Sequence, residues 1–215
     1  MNMETTQAPS CCTGPQAFRL GRTTKTPHTP KIGATHTKWQ TMQQPELISD
    51  AYKSEQEALH AKGNYGTASL QFGEIVSHLI DSLEVDTILD YGCGSMRNLL
   101  KVLQPERDCK YIGYDPAVAA FSRKEPCDLV VSIDVLEHIE PDLLDNVLDD
   151  LMMLSSQWAF FTVHTGPAAK VLSDGRNAHL IQRPASWWLP RFMQRWELHQ
   201  FQKTRQGFNV LLRAT

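Results

Sequence analysis

Up to Pro45 the chain shows no periodic apolar pattern; beyond it, helical and strand patterns alternate to the end. Leu47, Ile48, Ala51, Tyr52, Ala58 and Leu59 recur at helical spacing, and Gly63-Asn64 ends the run. A second helix is predicted from about Ser69 to Leu83, with Leu70, Phe72, Ile75, Val76, Leu79 and Ile80 as its buried stripe. Thr87-Ile88-Leu89-Asp90-Tyr91 is a short apolar run that stops at a glycine turn, the pattern of a buried strand. Met96 to Leu103 then reads as a helix and Tyr111 to Tyr114 as a second strand, stopped by Asp115-Pro116. Leu129 to Ile133 is a third strand, rich in β-branched residues.

The next helix starts at Pro141, where a missing N–H costs nothing, and Asp142 suits its positive end. Leu143, Leu144, Val147, Leu148, Leu151 and Leu154 make its apolar face. Trp158 to Val163 is a further strand, and Trp196 to Gln202 and Phe208 to Leu212 form a hairpin around Arg205-Gln206-Gly207. Strands alternating with helices predict an α/β fold with a doubly wound, mostly parallel sheet; the closing hairpin adds antiparallel strands at one edge.

The head, residues 1–45, changes this picture only at the margin. It is rich in Thr, Pro, Gln and Ser, a composition that buries too little to offset its ordering entropy, so it is expected to be a disordered tail. Arg19, Arg22, Lys25, Lys31 and Lys38 face one acid, Glu4, leaving the tail basic and residues 46–215 acidic within a net charge of -3. Five cysteines without a CxxC pair suggest neither a disulfide framework nor a zinc site, and no metal is expected. No apolar run approaches the roughly 20 residues that span a bilayer, and a secretory signal pattern is missing. A cytoplasmic protein with no membrane partner is therefore expected. Nothing in the sequence bears on oligomeric state.

The sharpest chemical feature is Ile88-Leu89-Asp90-Tyr91-Gly92-Cys93-Gly94, a strand running through two glycines into a helix. Ligands of open parallel sheets bind at the carboxyl ends of strands, where such turns lie. Glycines admit a ligand close to the backbone, and the helix start favours a carboxylate. The next strand ends in Asp115, an acid placed to accept hydrogen bonds from both ribose hydroxyls. The GxGxxG phosphate fingerprint is only half met, since Ser95, Met96 and Arg97 follow Gly94.

ILDYGCG at 88–94 resembles motif I of the class I (Rossmann-like) S-adenosylmethionine-dependent methyltransferases, and YIGYDPA at 111–117 resembles their motif II. DLVVSIDVLEHI at 128–139 is similar to the stretch that delivers their acceptor-facing residues. The resemblance implies S-adenosyl-L-methionine as cofactor and S-adenosyl-L-homocysteine as product. It implies that Asp90, Gly92 and Gly94, with Tyr91, cradle the methionine part while Asp115 holds the ribose. Asp134 joins this cofactor set, and Tyr65 is expected to contact the sulfonium side or the carboxylate as residues 47–83 fold over as a helical cap. One departure stands out: only 12 residues separate Asp115 from the strand near Cys127, too few for the helix, strand and adenine-facing acid usual there. The third strand is expected to be lost or vestigial, with Pro116, Ala117 and Ser132 nearest the adenine.

For the acceptor, Glu137 and His138 lie at the end of the predicted fourth strand of that pattern, and His138 is the residue type that titrates near neutrality. Local hydrogen bonding at the start of the next helix is the plainer alternative for both. His164 follows the next strand and is a second candidate base. His179, with Trp187 and Trp188, sits in an insertion-like stretch at about 166–193, readable as a lid or acceptor wall or as core packing. A small-molecule acceptor is the first reading. A nucleotide or nucleic acid base is the second, disfavoured by the acidic folded part. A non-catalytic cofactor-binding protein is the third.

Overall fold

The structure, a computed structural model, describes residues 45–61, 63 and 66–215. The expected tail, apart from Pro45, and Tyr65 lie outside the described residues. Helix α1 (Asp50–His60) and helix α2 (Gly73–Ser82) precede β1 (Thr87–Tyr91), α3 (Asn98–Val102), β2 (Lys110–Tyr114) and β3 (Cys127–Ile133). Then come α4 (Leu144–Leu154), β4 (Ser155–His164), α5 (Ala185–Phe192), β5 (Trp196–Lys203) and β6 (Gly207–Ala214).

The six strands form one sheet in the order β2-β1-β3-β4-β6-β5. Strands β1 to β4 pair in parallel, and β6 joins β4 and β5 antiparallel, as the hairpin pattern predicts. The chain leaves β1 to one side for β2 and to the other for β3, so a crevice opens at the carboxyl ends of β1 and β3. No strand flanks β2 on its outer side among the described residues. The short link that replaces it holds only a 3-10 turn, Ala119–Phe121. Two contacts pin this link: Asp115 N–H donates to Phe121 O at 2.9 Å, and Lys124 pairs with Asp150 of α4.

Strand side chains alternate between two faces. Leu89, Tyr91, Val130, Phe161, Val163, Val210 and Leu212 point to the face covered by α4 and α5, where Leu148, Leu151, Trp188 and Phe192 complete the main core. Trp188 is fully buried there, which settles it as core. On the opposite face Phe72, at the start of α2, meets Phe160 with ring centroids 6.5 Å apart. Burial of such side chains stabilises by roughly 1.5–3 kcal/mol each and dominates the folding energy.

A smaller core joins the two segments flanking the crevice. Tyr52 and Leu59 of α1 pack against Leu172 and Ala178. Ser49 caps α1 by accepting from Tyr52 N at 3.2 Å, worth about 1 kcal/mol, while its own N–H and hydroxyl donate to Glu140 at 2.8 and 2.7 Å. Ser173 N–H adds a bond to Glu55 at 2.5 Å. The first helix is thereby tied both to the loop after β3 and to the 168–180 segment.

Candidate active site

The glycine turn after β1 is clamped to the end of β2. Gly92 N–H and Cys93 N–H both donate to Tyr114 O, at 2.7 and 3.0 Å. Gly94 N–H donates to Asp115 Oδ2 at 3.0 Å and Ala117 N–H to Asp115 Oδ1 at 2.9 Å. Gly92 has φ +84°, and a Cβ there would stand 2.5 Å from Val135 Cγ2, so glycine alone fits. That contact seats the loop after β3 directly on the turn.

Gly94, at φ +62°, is approached instead by His60, whose Cε1 lies 3.4 Å from where a Cβ would be. His60 Nε2 is 3.6 Å from Asp115 Oδ2, placing the end of α1 over the turn. Asp115 therefore organises the site through three neighbours. Asp90, buried beneath, accepts from Tyr111 OH at 2.6 Å. Burial pushes its carboxyl up to about 7, against the lowering effect of Tyr111, with Asp115 adding repulsion. Tyr91 turns into the main core and gives its hydroxyl to Asp150 at 2.9 Å, so its side chain packs rather than lines the turn. Ser132 is fully buried within β3, Ala117 is buried and Pro116 is half-buried.

At the ends of β3 and β4 the structure assembles what the sequence scattered. Asp134 adopts φ 57°, a left-handed conformation that costs a non-glycine residue about 1 kcal/mol or more. Its N–H donates to Thr162 Oγ1 at 3.0 Å. His138 ends a 3-10 turn, Leu136–His138, and its Nδ1–H donates to Ala178 O at 2.8 Å. His179 gives its Nδ1–H to Gly166 O at 2.7 Å. The His179 ring lies between two others, with centroids 4.7 Å from His138 and 4.7 Å from His164. One ligand-type atom from each of Asp134, His138 and His179 lies within 4.8 Å of the others. Burial and the neighbouring His179 push His138 down to about 4, so it is neutral at pH 7.

Glu137 plays a different part from its neighbours. It is fully buried, and its Oε1 accepts from His164 N–H at 2.5 Å while its carbonyl accepts from Ile181 N–H at 2.9 Å. Burial and the adjoining Asp134 carboxyl hold Glu137 well above the usual carboxylate range. Among the described residues its Oε2 meets no side-chain or backbone donor, in keeping with that upward shift beside Asp134. Trp187 is half-buried on α5 under the Arg191 guanidinium, 3.6 Å from the ring centroid, and packs on the main core.

Sequence reading passed over Asn177. Its Oδ1 accepts from Ala168 N–H and His179 N–H, both at 2.9 Å, and its amide donates to Ala168 O at 2.8 Å. This single side chain sets the loop that presents His179. An Asn bonded to the N–H two residues on is a recognised turn signal, and Asn177-Ala178-His179 carries it.

Residues 63–215, most of the chain, match the family described as methyltransferase domain. The chain belongs to that family. Its membership places it among the class I S-adenosylmethionine-dependent methyltransferases that its motifs resemble. A search of curated proteins finds no match. Among solved structures, an O-methyltransferase family protein from Burkholderia thailandensis aligns with TM-score 0.53 and 10% identity over 79% of this chain. This chain spans 63% of that protein's length. The 1,6-didemethyltoxoflavin-N1-methyltransferase of Burkholderia thailandensis, solved with 1,6-didemethyltoxoflavin and S-adenosylhomocysteine, aligns with TM-score 0.53 and 15% identity. Coverage is 81% of this chain and 93% of that one. At these identities the likeness is one of fold, including the parallel sheet with its antiparallel closing hairpin.

Proposed function

We propose that this protein transfers a methyl group from S-adenosylmethionine to a small-molecule acceptor seated against His138, His164 and His179. The observation that carries this reading is the contact between Gly92 and Val135, which sets the histidine-bearing loop against the cofactor turn. Methyl transfer from a sulfonium is an in-line displacement. The acceptor's lone pair forms a bond to the methyl carbon as the carbon–sulfur bond breaks, and that electron pair returns to sulfur. The barrier falls chiefly through alignment and exclusion of water. An acceptor hydroxyl or amine must also shed a proton, and His164 is the residue proposed to take it.

The same reading gives residues 47–83 the role of a cap and residues 166–193 that of a lid, joined through Tyr52, Leu59, Leu172 and Ala178. Gly92, Gly94 and Asp115 hold the cofactor, with His60 as an additional neighbour. A small acceptor agrees with the acidic character of residues 46–215 and with the small molecule held by the Burkholderia N1-methyltransferase. A cytoplasmic setting agrees with the free thiols Cys93, Cys109 and Cys127. Among the described residues no helix is long and apolar enough to cross a membrane.

Calorimetric titration of the full chain with S-adenosylmethionine, S-adenosylhomocysteine and NAD tests the proposal. Micromolar binding of the sulfur compounds and none of NAD is expected. Asp115→Ala, which frees Gly94 N–H and Ala117 N–H, lowers that affinity at least tenfold, or about 1.4 kcal/mol. Absence of binding by the unaltered chain would sink the reading.

A further inference from the structure

We propose that Asp134, His138 and His179 form a binding site for one divalent transition-metal ion, facing the acceptor. Three residues from two distant stretches of chain bring their ligand atoms within 4.8 Å of one another. Two imidazoles and one carboxylate make a donor set suited to Zn²⁺, Fe²⁺, Co²⁺ or Ni²⁺, and a poor one for Ca²⁺ or Mg²⁺. Both rings carry the backbone partner that metal-bound histidines commonly have. Each gives its Nδ1–H to a backbone carbonyl, Ala178 O for His138 and Gly166 O for His179, which puts the neutral ring's lone pair on Nε2. Asn177 and Glu137 act as positioning residues, the first through the His179 loop and the second beside Asp134.

Ligand atoms of a tetrahedral site with bonds of about 2 Å stand roughly 3.3 Å apart, so small side-chain rotations close the cluster on an ion. Three protein ligands leave at least one position open. An acceptor hydroxyl or carboxyl oxygen taking it would be aligned and, if protonated, made more acidic. Its proton passes to solvent or to His164, and its lone pair then bonds to the methyl carbon as sulfur recovers the carbon–sulfur pair. This last role rests on the function proposed above; the metal site itself does not.

The test uses the full chain, stripped with chelator and titrated with Zn²⁺ alone by calorimetry, then with Co²⁺ by visible absorption. One ion per chain is expected. His179→Ala and His138→Ala lower Zn²⁺ affinity at least tenfold, and Asn177→Ala lowers it by a factor on the order of ten, as loss of outer-shell support does. Circular dichroism and S-adenosylhomocysteine affinity, measured on the same variants, stay unchanged if folding is intact. Because Cys11, Cys12, His28 and His36 can also bind metals, a chain with all four replaced by alanine serves as control. Retained affinity in that control supports the site. Affinity that survives His179→Ala and His138→Ala, or vanishes in the control, overturns it. Zn²⁺ binding without S-adenosylhomocysteine binding would leave the metal site standing and remove the methyltransferase reading; the reverse result would do the opposite.

Discussion

The two halves of the crevice are built in different ways. The half proposed to hold the cofactor, at the ends of β1 and β2, consists of backbone N–H groups, two glycines and one carboxylate, drawn from residues 90–117. The half proposed to face the acceptor, at the ends of β3 and β4, consists of side chains from 134, 138, 164 and 179, held by polar contacts between residues 13 to 40 positions apart. The first half is held by contacts between its own two strands and the turns that follow them. The second is only as well placed as Glu137, Asn177 and Gly166 keep it. Steric damage to the turn should therefore disable everything, whereas damage to those three should spare the cofactor.

The largest effect is expected at the seam between the halves. Gly92→Val drives side-chain atoms into Val135 and forces a β-branched residue to φ +84°, with a combined cost of several kcal/mol. Thermal unfolding should fall by more than ten degrees and S-adenosylhomocysteine binding should disappear; near-normal binding would show that Val135 yields easily. Glu137→Ala comes next. It leaves His164 N–H unpaired in a buried setting and opens a void, costing roughly 2–4 kcal/mol by denaturant titration. Glu137→Gln, a neutral mimic of the protonated carboxyl, should recover most of that loss. Equal damage from both variants would contradict a protonated Glu137.

A smaller and more selective loss is expected from Asn177→Ala. Turnover should drop about tenfold, roughly 1.4 kcal/mol in transition-state stabilisation, while S-adenosylhomocysteine affinity holds. Equal loss of both would merge the halves into one cooperative unit. The smallest effect is the pH response of Asp90. Its folded pKa, about 7, exceeds its ordinary value of 3.8, so between those values the folded protein binds the extra proton. Stability from this group is thus gained as pH falls through 7 and is complete near pH 4. The wild type should therefore gain stability relative to Asp90→Asn when the buffer moves from pH 8 to pH 6. A flat difference between the two would mean that Tyr111 keeps Asp90 ionised.

The same division governs what could be read before the fold was known. Strand β1, the glycine turn and Asp115 are contiguous, and their chemistry follows from local rules: an apolar run, residues without a Cβ, an acid at a strand end. That no strand flanks β2 on its outer side among the described residues was equally legible, because 12 residues cannot hold a helix and a strand. Tyr91 adjoins the turn through its backbone, while alternation sends its side chain to the core. His138 and His164 stand near strand ends and His179 in the stretch at about 166–193, yet nothing local says that they meet. Their convergence depends on parallel pairing of β3 with β4 and on the Asn177 loop folding back, contacts made across 27 to 40 positions. The sequence alone determined the order of elements and the glycine turn, because hydrophobic period and glycine act over a few residues. Only the tertiary structure decided that three imidazoles and a carboxylate share one site, because long-range packing sets which strand ends become neighbours.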